Sequence, residues 1–541
     1  VFLRLEGNVV RLAGFKRKAM ACCCCCGGKK LREPTWATPD GTAPRVALLL
    51  SGTRGDHQPG VPFVLAMKDR GMDVKVFAKE TFRDLFTKWD IAFSGSPGTD
   101  FEYIFTSWLV RKAMMTGCTT MISAAINQIL ERSYNENGTL DSIIDGLRDF
   151  RPTVVIWHMS LVVEALTACR LFNCPGICLA FFPFSPTSEL PCFPMNGGSK
   201  WKSGHRIVHK TMWKHFYGIG KCSLLCHTKC THGLKLGGND FWRMYSDAQK
   251  ATLCAWSPSL GPRPSDYHEG VQGPTGFLRM SDQHQVKAFQ VPDDLRAFVE
   301  NIPREELAYI GWGSMGAGTD QRLCQLAVAA LLHANVKGVI QGSYSDLRIE
   351  KLTDPRLISY AEKNIHFVLK GVSIPHPWLF PLCGVCVHHG GVGTVAACLY
   401  AGTPSVVTPV YLDQYYWANC IHDASAGLRG PVLASANGKT LGACIATCLE
   451  NLRRDGSMAA NALSLGNRMR SEDGVSNAVD FVEKFCKGEW PESGPRVVGK
   501  APEPLPIASV DTRVSEAQPP LNVHETRPPC PVQVEMTGSF D

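Results

Sequence analysis

The sequence lacks a long hydrophobic run that is free of charged residues. Its most apolar stretch, at 154–184, is interrupted by Glu164, Arg170 and two prolines. A membrane-spanning helix needs about 20 consecutive apolar residues. The pattern therefore predicts no transmembrane helix.

A strong excess of one sign of charge is also missing. Lys and Arg total 56, and Asp and Glu total 49, which leaves a formal net charge of +7 on 541 residues. Nucleic-acid-binding domains concentrate basic residues on one face, whereas the basic residues here are scattered, so we expect no nucleic-acid partner. Hydrophobic residues make up 45% of the chain, which is typical of a globular protein, and the length leaves room for two domains.

The 23 cysteines do not follow the pattern of a small disulfide-rich domain. A chain of this size does not need disulfides for its core, so we interpret most cysteines as reduced thiols of a cytoplasmic protein. Cys222, Cys226 and Cys230, with His227 and His232 nearby, are compatible with zinc binding. However, no CxxC pair accompanies them, and a spacing of four also describes one helix face. We predict no bound metal.

A run of five cysteines, from Cys22 to Cys26, follows Met20 and precedes Lys29 and Lys30. If Met20 is the initiator, this run becomes an N-terminal site for multiple palmitoylation, which predicts peripheral association with a membrane. The alternative is a low-complexity leader without an anchor. In both cases we expect residues 1–43 to be disordered.

Apolar runs alternate with helical patterns along most of the chain, which is typical of α/β layers built on parallel sheets. One series starts at Arg45 and a second at Leu307. We therefore predict an α/β protein with two Rossmann-like domains that face each other across a cleft, at 44–280 and 306–487, joined by a linker at 281–305. The region 488–541 contains ten prolines and little apolar periodicity, which predicts a disordered tail.

The segment GWGSMG at 311–316 fits the GxGxxG pattern of dinucleotide-binding proteins. An NAD(P)-dependent oxidoreductase is therefore one alternative. That pattern also requires an acidic residue at the end of the next strand, where this chain has Gln341. What the glycines and a following helix favour more generally is a phosphate-like anion.

The segment VHHGGVGTV at 387–395 also follows a predicted strand and opens a predicted helix. Its glycines allow backbone amides to approach a ligand, and the helix N-terminus adds partial positive charge. A histidine and Thr394 can each donate a further hydrogen bond. This combination suits a diphosphate that is bound and then stabilised as a leaving group, and tight packing of glycines alone would not account for the paired histidines.

Several motifs together resemble a known family. The segment at 388–394, followed by AGTP at 401–404, Pro409 and the Asp413-Gln414 pair, is similar to the sugar-donor motif of GT-B glycosyltransferases. IPHPWLF at 374–380 resembles the PHxWLF element of the sterol 3-beta-glucosyltransferase branch, as GTRGD at 52–56 resembles its N-terminal loop. The resemblance covers about residues 45–485.

The resemblance implies the GT-B fold, with an acceptor-binding N-terminal domain and a C-terminal domain that binds a nucleotide sugar. The implied reaction is inverting transfer of a hexose, usually glucose, from UDP-glucose to a sterol or another lipophilic hydroxyl acceptor. The UDP-sugar is a co-substrate, so no cofactor and no metal is expected. A catalytically inactive sugar-nucleotide-binding protein is a second alternative.

The resemblance also implies residue roles. Asp56 is the expected general base, which takes the proton of the acceptor hydroxyl, and His57 is the other candidate because it replaces an apolar residue of the family. A structural alternative is that Asp56 only caps a helix. The expected sugar-donor residues are Ser314, His389, Gly391, Gly393 and Thr394 at the diphosphate, Ile374 and His376 at the uracil, and Asp413 and Gln414 at the sugar hydroxyls.

The sequence departs from the family in two places. The aromatic segment at 181–189 lacks the Trp-Thr-Arg-Thr core of sterol-type enzymes, and Tyr411-Leu412 replaces the usual Phe-Gly. The first difference leaves sterols, other lipids and polyketide-like compounds open as acceptors. The second leaves the identity of the sugar open.

Overall fold

The computed structural model describes residues 2–5, 8–11, 43–98, 100–190, 209, 251–268, 270–280, 291–372 and 374–488. The cysteine run at 22–26, the cysteines and histidines at 222–232, part of the linker (281–290) and the tail from 489 lie outside the described residues. Within the leader, strands β1 (Phe2–Leu5) and β2 (Asn8–Arg11) pair as an antiparallel hairpin. The β-branched Val9 and Val10 favour strand structure in this hairpin, and the expectation for the rest of the leader stays a prediction.

Seven strands form the first sheet. They are β3 (Arg45–Leu49), β4 (Asp73–Lys79), β5 (Ala92–Ser96), β6 (Val154–His158), β7 (Gly176–Ala180), β8 (Thr252–Cys254) and β9 (Val271–Gln272). All pairs are parallel, in the order β5-β4-β3-β6-β7-β8-β9. Every residue of β6 is buried, as expected for a central strand covered by helices on both faces.

The helices described in the first half of the chain connect these strands and cover the sheet. They are α1 (Arg54–His57), α2 (Gly60–Asp69), α3 (Arg83–Thr87), α4 (Phe101–Thr106), α5 (Trp108–Met114), α6 (Thr119–Asn137), α7 (Thr139–Phe150) and α8 (Val162–Phe172). Short 3-10 turns lie at Glu80–Phe82, Met159–Leu161, Arg304–Glu306, Ile349–Lys351 and Phe380–Leu382.

The second sheet has six parallel strands. They are β10 (Leu307–Gly311), β11 (Lys337–Gln341), β12 (Ile365–Val368), β13 (Val385–His388), β14 (Ser405–Val407) and β15 (Gly427–Arg429). Their order is β12-β11-β10-β13-β14-β15. The prediction of two α/β domains with parallel sheets is confirmed.

The helices described in the second half of the chain surround this sheet or follow it. They are α9 (Asp293–Val299), α10 (Asp320–Ala334), α11 (Pro355–Asn364), α12 (His376–Leu379), α13 (Val392–Ala401), α14 (Gln414–Asp423), α15 (Gly438–Arg454), α16 (Ser457–Arg470) and α17 (Gly474–Cys486). Local sequence fixes their ends: Thr319 caps α10 by accepting a hydrogen bond from the Arg322 amide at 3.1 Å. Gly402 follows α13 in the left-handed conformation at φ +63°.

Helix α17, which the sequence assigned to the second domain, packs on the first sheet instead. Its Val479 and Phe485 are buried in the same apolar core as Leu48 of β3. Arg70 at the end of α2 forms ion pairs with α17, at 3.0 Å to Glu483. The physical reason is the apolar face of α17, since its Ala478, Val479, Val482 and Phe485 are all buried in that core.

The segment α4–α6, from the first half of the chain, packs against the second domain. Ile104 and Ile126 of this segment are buried with Ile310 of the second sheet. Arg111 of α5 forms an ion pair with Asp320 of α10 and donates a hydrogen bond to Ser345 Oγ at 3.3 Å. Helices from each half of the chain therefore pack on the sheet of the other half.

Candidate active site

The first wall of the candidate site lies at the carboxyl end of β3. Leu49 of β3 pairs with Trp157 of β6, so the loop after β3 lies beside His158, the last residue of β6. This loop needs glycine at position 52, because φ is +127° and a Cβ there would lie 2.2 Å from Asp56 Oδ2. Because Gly52 has no side chain, the Asp56 carboxylate can lie close to the Gly52 backbone, directly after the end of β3.

Asp56 both caps the short helix α1 and faces the cleft. Its Oδ2 accepts hydrogen bonds from the Thr53 amide at 2.7 Å and the Thr53 hydroxyl at 3.1 Å. Its Oδ1 lies 3.7 Å from His158 Nε2, and the side chain is 32% exposed. Burial raises the pKa of the Asp56 carboxyl, and His57 and the Thr53 hydrogen bonds oppose that rise. The helix-cap alternative and a role in the cleft are thus compatible, because they use different oxygens.

His57 does not reach the cleft. Its ring is fully buried and stacks on Phe82 with ring centroids 3.7 Å apart. Its Nδ1 lies 2.8 Å from the Thr53 carbonyl oxygen, to which it donates. Burial lowers the pKa of His57 to about 4. These contacts explain His57 as a packing residue of the first domain and favour Asp56 as the base, an assignment that stays a prediction.

Three loops form the opposite wall, at the carboxyl ends of β10, β13 and β14. Gly311 pairs with His388, and His388 pairs with Val407. The register therefore places the glycine loop after β10, the histidine loop after β13 and the loop before α14 side by side. Ligands of open parallel sheets bind at this edge.

His389 is held between two glycines. A Cβ on Gly313 would lie 2.9 Å from the ring of His389, and one on Gly391 would lie 2.5 Å from its Nε2. Burial and the neighbouring His388 lower the pKa of His389 to about 3, so the ring is neutral at pH 7. Its Nδ1 is buried and has no hydrogen-bond partner within the described part of the chain. A neutral imidazole in this place can donate a hydrogen bond to a ligand, but it cannot supply charge.

Helix α13 starts directly after this histidine, at Val392, with Gly391 at the cap position. The Thr394 and Val395 amides donate to the Gly391 carbonyl oxygen at 3.0 Å, whereas the amides of Val392 and Gly393 precede the first intrahelical bond. The helix start therefore presents partial positive charge to the site. A Cβ on Gly393 would meet no atom within 4 Å. The space above Gly393 is therefore open to a ligand, and the structure brings His389, Gly391, Gly393 and Thr394 together as expected.

The loop after β10 is less like a dinucleotide site than its sequence suggests. Gly313 has φ +58° and Ser314 is half-buried beside it, but the helix that was expected to follow begins only at Asp320. Gln341, at the end of the next strand, accepts a hydrogen bond from Tyr309 at 2.8 Å and donates one to the Val372 carbonyl at 3.1 Å. It therefore has a structural role where a dinucleotide site needs a carboxylate.

The two residues expected at the uracil differ in accessibility. Ile374 is only 4% exposed and packs in the core, so its side chain is not available to a ligand. His376 opens the short helix α12 and stacks on Phe380 at 4.3 Å. Burial, His388 and Arg54 lower the pKa of His376 to about 4, so this ring is also neutral. Arg54 acts on it from the first domain, across the cleft.

Asp413 faces Asp56 from the second domain. Its Oδ2 accepts a hydrogen bond from the Trp417 indole at 2.7 Å. Burial, together with the charge of Asp56, raises the pKa of Asp413 to about 7. The contribution of the Asp56 charge indicates that the two carboxylates interact electrostatically across the cleft.

Gln414 is positioned differently from the expectation. Its Oε1 accepts hydrogen bonds from the amides of Val410 and Tyr411, at 2.8 and 3.0 Å. The side chain is buried and holds the loop that carries Asp413, so its carboxamide oxygen is not available for sugar hydroxyls. Leu412, at φ +50°, occupies the left-handed conformation for which the family's usual glycine is suited.

Sequence reasoning missed two polar residues of the site. His158 is the last residue of β6, next to the loop after β3, and its place at the end of an apolar strand was the available signal. Tyr344 follows β11, and burial with the charges of nearby Asp100, Glu102 and Asp56 raises its pKa. No sequence pattern marked Tyr344.

Neither a metal cluster nor a membrane span is present in the described ranges. No group of three or more His, Cys, Asp or Glu side chains is arranged to hold a metal ion there. No helix among the described residues combines the length and apolar composition needed to cross a bilayer. The expectation of no metal stays a prediction.

Comparison with solved structures identifies the fold. A UDP-glucosyltransferase from Polygonum tinctorium in complex with 3,4-dichloroaniline aligns over 82% of this chain and 99% of its own, with a TM-score of 0.56 at 14% identity. The calicheamicin glycosyltransferase CalG4 aligns over 83% and 100%, with a TM-score of 0.53 at 16% identity. Both are GT-B proteins, and the fold of this chain is GT-B.

Comparison with curated proteins finds similarity to sterol 3-beta-glucosyltransferases. A sterol 3-beta-glucosyltransferase of Debaryomyces hansenii is 24% identical over 446 residues, which is 80% of this chain and 26% of that protein. One from Komagataella phaffii is 25% identical and covers 82% and 35%, and one from Arabidopsis thaliana is 24% identical and covers 85% and 68%. The chain thus spans about a quarter to a third of the two yeast relatives.

A family profile matches the second domain. The C-terminal domain of proteins similar to erythromycin biosynthesis protein CIII matches residues 361–483, a range that includes the histidine loop and Asp413. The predicted resemblance to sterol 3-beta-glucosyltransferases is confirmed by these comparisons. The chain has the GT-B fold and is similar in sequence to glycosyltransferases.

Proposed function

We propose that the protein is an inverting glycosyltransferase that moves a hexose, glucose from UDP-glucose, to the hydroxyl group of a sterol or another lipophilic acceptor. One observation carries the proposal. The loop after β13 holds His389 between Gly313 and Gly391 at the start of α13, and the space above Gly393 is open. A glycine loop with a histidine at a helix N-terminus suits the diphosphate of a nucleotide sugar, and Asp56 at the end of β3 supplies a carboxylate that can act as base.

The proposed reaction needs three groups of atoms. Asp56 Oδ1 takes the proton of the acceptor hydroxyl as that oxygen forms a bond to the anomeric carbon. The bond between the anomeric carbon and the diphosphate oxygen breaks, and its electron pair leaves with UDP. Attack from the face opposite the leaving group inverts the anomeric configuration.

The second domain is suited to stabilise the leaving diphosphate. The amides at the start of α13 carry partial positive charge, and the neutral His389 ring lies beside them, between Gly313 and Gly391. Such preoriented groups stabilise developing charge without reorganisation. Asp413 Oδ1 accepts hydrogen bonds from sugar hydroxyls, while its other oxygen is held by Trp417 at 2.7 Å.

The lipophilic acceptor is supported by the relatives and by the surface of the first domain. Tyr103 and Trp108 of α4 and α5 are 64% and 72% exposed. The aromatic segment offers less, because Phe181, Phe182 and Phe184 are buried in the core. A cytoplasmic location, with peripheral association through acylated cysteines at 22–26, is a further prediction.

The experiment is a transfer assay on the full chain with UDP-glucose and cholesterol, ergosterol or a detergent alcohol. We expect UDP release together with a glycoside of the expected mass. Asp56→Asn should lower kcat about 100- to 10,000-fold, as expected for loss of a general base, with binding of UDP-glucose changed less than about twofold. Asp84→Asn, an exposed aspartate of the same domain, is the control.

Two results would reject the proposal. Wild-type rates in Asp56→Asn would remove the assigned base. Binding of UDP-glucose without any turnover, with all acceptors and with water, would support the inactive sugar-nucleotide-binding protein instead.

A further inference from the structure

His158 is a polar side chain of the cleft for which the reaction described above has no use. It is the last residue of β6 and only 5% exposed. A histidine buried at the carboxyl end of a central parallel strand lies where functional groups collect. Its two ring nitrogens face different partners, which decides what the ring can do.

The hydrogen-bond partner of His158 Nδ1 determines whether Nε2 carries the proton of the neutral ring. Nδ1 of His158 lies 2.8 Å from Ser160 Oγ, and Phe181 stacks on the ring at 5.6 Å. Burial lowers the pKa of His158 to about 4, so the ring is neutral and carries one proton. If the serine hydroxyl donates to Nδ1, the proton is on Nε2.

That second nitrogen faces the proposed base. His158 Nε2 lies 3.7 Å from Asp56 Oδ1, whereas Asp56 Oδ2 is already occupied by the two Thr53 hydrogen bonds. Oδ1 is therefore the oxygen that remains for an acceptor proton. The orientation of the Asp56 carboxylate is limited by the hydrogen bonds from Thr53 to Oδ2 and by the His158 imidazole next to Oδ1.

We propose that His158 is a positioning residue for Asp56: Ser160 sets the tautomer of His158, and the Nε2–H dipole of His158 attracts Asp56 Oδ1 and orients it toward the acceptor. The attraction is electrostatic, because the 3.7 Å separation of the two atoms is longer than a direct hydrogen bond. The inference rests on the proposed glycosyl transfer, in which Asp56 is the base. In this arrangement the Ser160 hydroxyl donates to His158 Nδ1, and the His158 Nε2–H points toward the Asp56 carboxylate, which accepts the proton of the acceptor hydroxyl. His57 has no part in it, because its ring is packed on Phe82 and hydrogen-bonded to Thr53.

The first test uses kinetics. His158→Ala should lower kcat about 10- to 100-fold, because misplacing a catalytic group by about 1 Å has effects of this size. The KM for UDP-glucose should stay within about twofold, since the sugar donor lies on the other wall. His158→Gln, whose amide can donate from a similar place, should restore at least a third of the lost rate. Because a smaller folded fraction would also lower the apparent kcat without changing KM, the folded fraction of each variant is measured by calorimetric titration with UDP, and kcat is expressed per UDP-binding site. His422→Ala, an exposed histidine of α14, is the control.

The second test does not depend on activity. Nitrogen NMR of ¹⁵N-histidine-labelled protein at pH 7, with the resonance assigned by its loss in His158→Gln, should show a neutral ring protonated on Nε2. Asp56→Asn should move this resonance, and Ser160→Ala should populate the other tautomer. A proton on Nδ1, or no response to Asp56→Asn, would overturn the inference.

The two failures are distinguishable. If the wild-type chain transfers no sugar but the NMR pattern is found, the proposed function fails and the contact stands. If the wild-type chain is active and His158→Ala keeps its full kcat, the inference fails and the function stands.

Discussion

Asp413 should destabilise the folded protein above neutral pH. The perturbation is Asp413→Asn, which removes the charge but keeps an oxygen that can accept the Trp417 indole hydrogen bond. The pKa of Asp413 is about 7 in the folded protein instead of 3.8. A group with a raised folded pKa binds its proton more tightly in the folded state, so stability is lost as pH rises from about 4 to about 7.

The size of the effect follows from the same pKa. Each pH unit between the unfolded and folded pKa corresponds to about 1.4 kcal/mol, so the interval from pH 5 to pH 7 gives a ceiling of about 3 kcal/mol. Asp413 is not fully buried, and solvent screening reduces the effect to about 1–2 kcal/mol. Asp413→Asn should therefore stabilise the protein by that amount more at pH 8 than at pH 5.

The assay is urea unfolding of wild type and variant at both pH values. Asp423→Asn, an exposed aspartate at the end of the same helix, makes the same chemical change and should show no such difference. An equal effect of Asp413→Asn at pH 5 and pH 8 would refute the reasoning, because it would mean that Asp413 is not a shielded carboxyl in the cleft.

Three further predictions concern the walls of the cleft and their connection. Gly391→Ala places a methyl group 2.5 Å from His389 Nε2 and should weaken UDP binding at least tenfold in calorimetry, since the ring or the loop must move. Tyr411→Phe removes the 2.8 Å hydrogen bond to Ser123, worth about 1 kcal/mol, and should weaken UDP-glucose about fivefold while leaving UDP unchanged; an equal loss for both would place the effect elsewhere. Arg111→Met leaves the carboxylate of α10 unpaired and should lower stability by about 3 kcal/mol in urea unfolding, and an unchanged urea midpoint would show that the interdomain ion pair is not formed.

The fold could be predicted because its signals are local and repeated. The apolar strands after Arg45 and Leu307 carry the parallel pattern in their own residues, and the glycines at 311–316 and 390–393 mark strand-to-helix loops. What could not be predicted was exchange between the domains. The sequence of helix α17 predicts an apolar face that will be buried. Its periodicity does not indicate which of the two domains that face packs against.

The positions of site residues could be predicted where a sequence motif determines the backbone conformation. They could not be predicted where tertiary contacts determine the orientation of the side chain. His389 lies at the helix start that its glycines require. His57 and Gln414 have suitable chemistry and adjacent positions, yet one packs on Phe82 and the other holds backbone amides. His158 comes from a strand about 100 residues away in sequence from Asp56, and only the pairing of Leu49 with Trp157 brings them together.

The measurement that tests the central claim most directly is calorimetric titration of the full chain with UDP, UDP-glucose and NADH. We predict saturable binding of UDP and UDP-glucose, lost in His389→Ala, and no binding of NADH. The same titration of Asp56→Asn should give wild-type affinity for UDP-glucose. Absence of UDP binding, or a preference for NADH, would contradict the account and make the glycine loops a dinucleotide site.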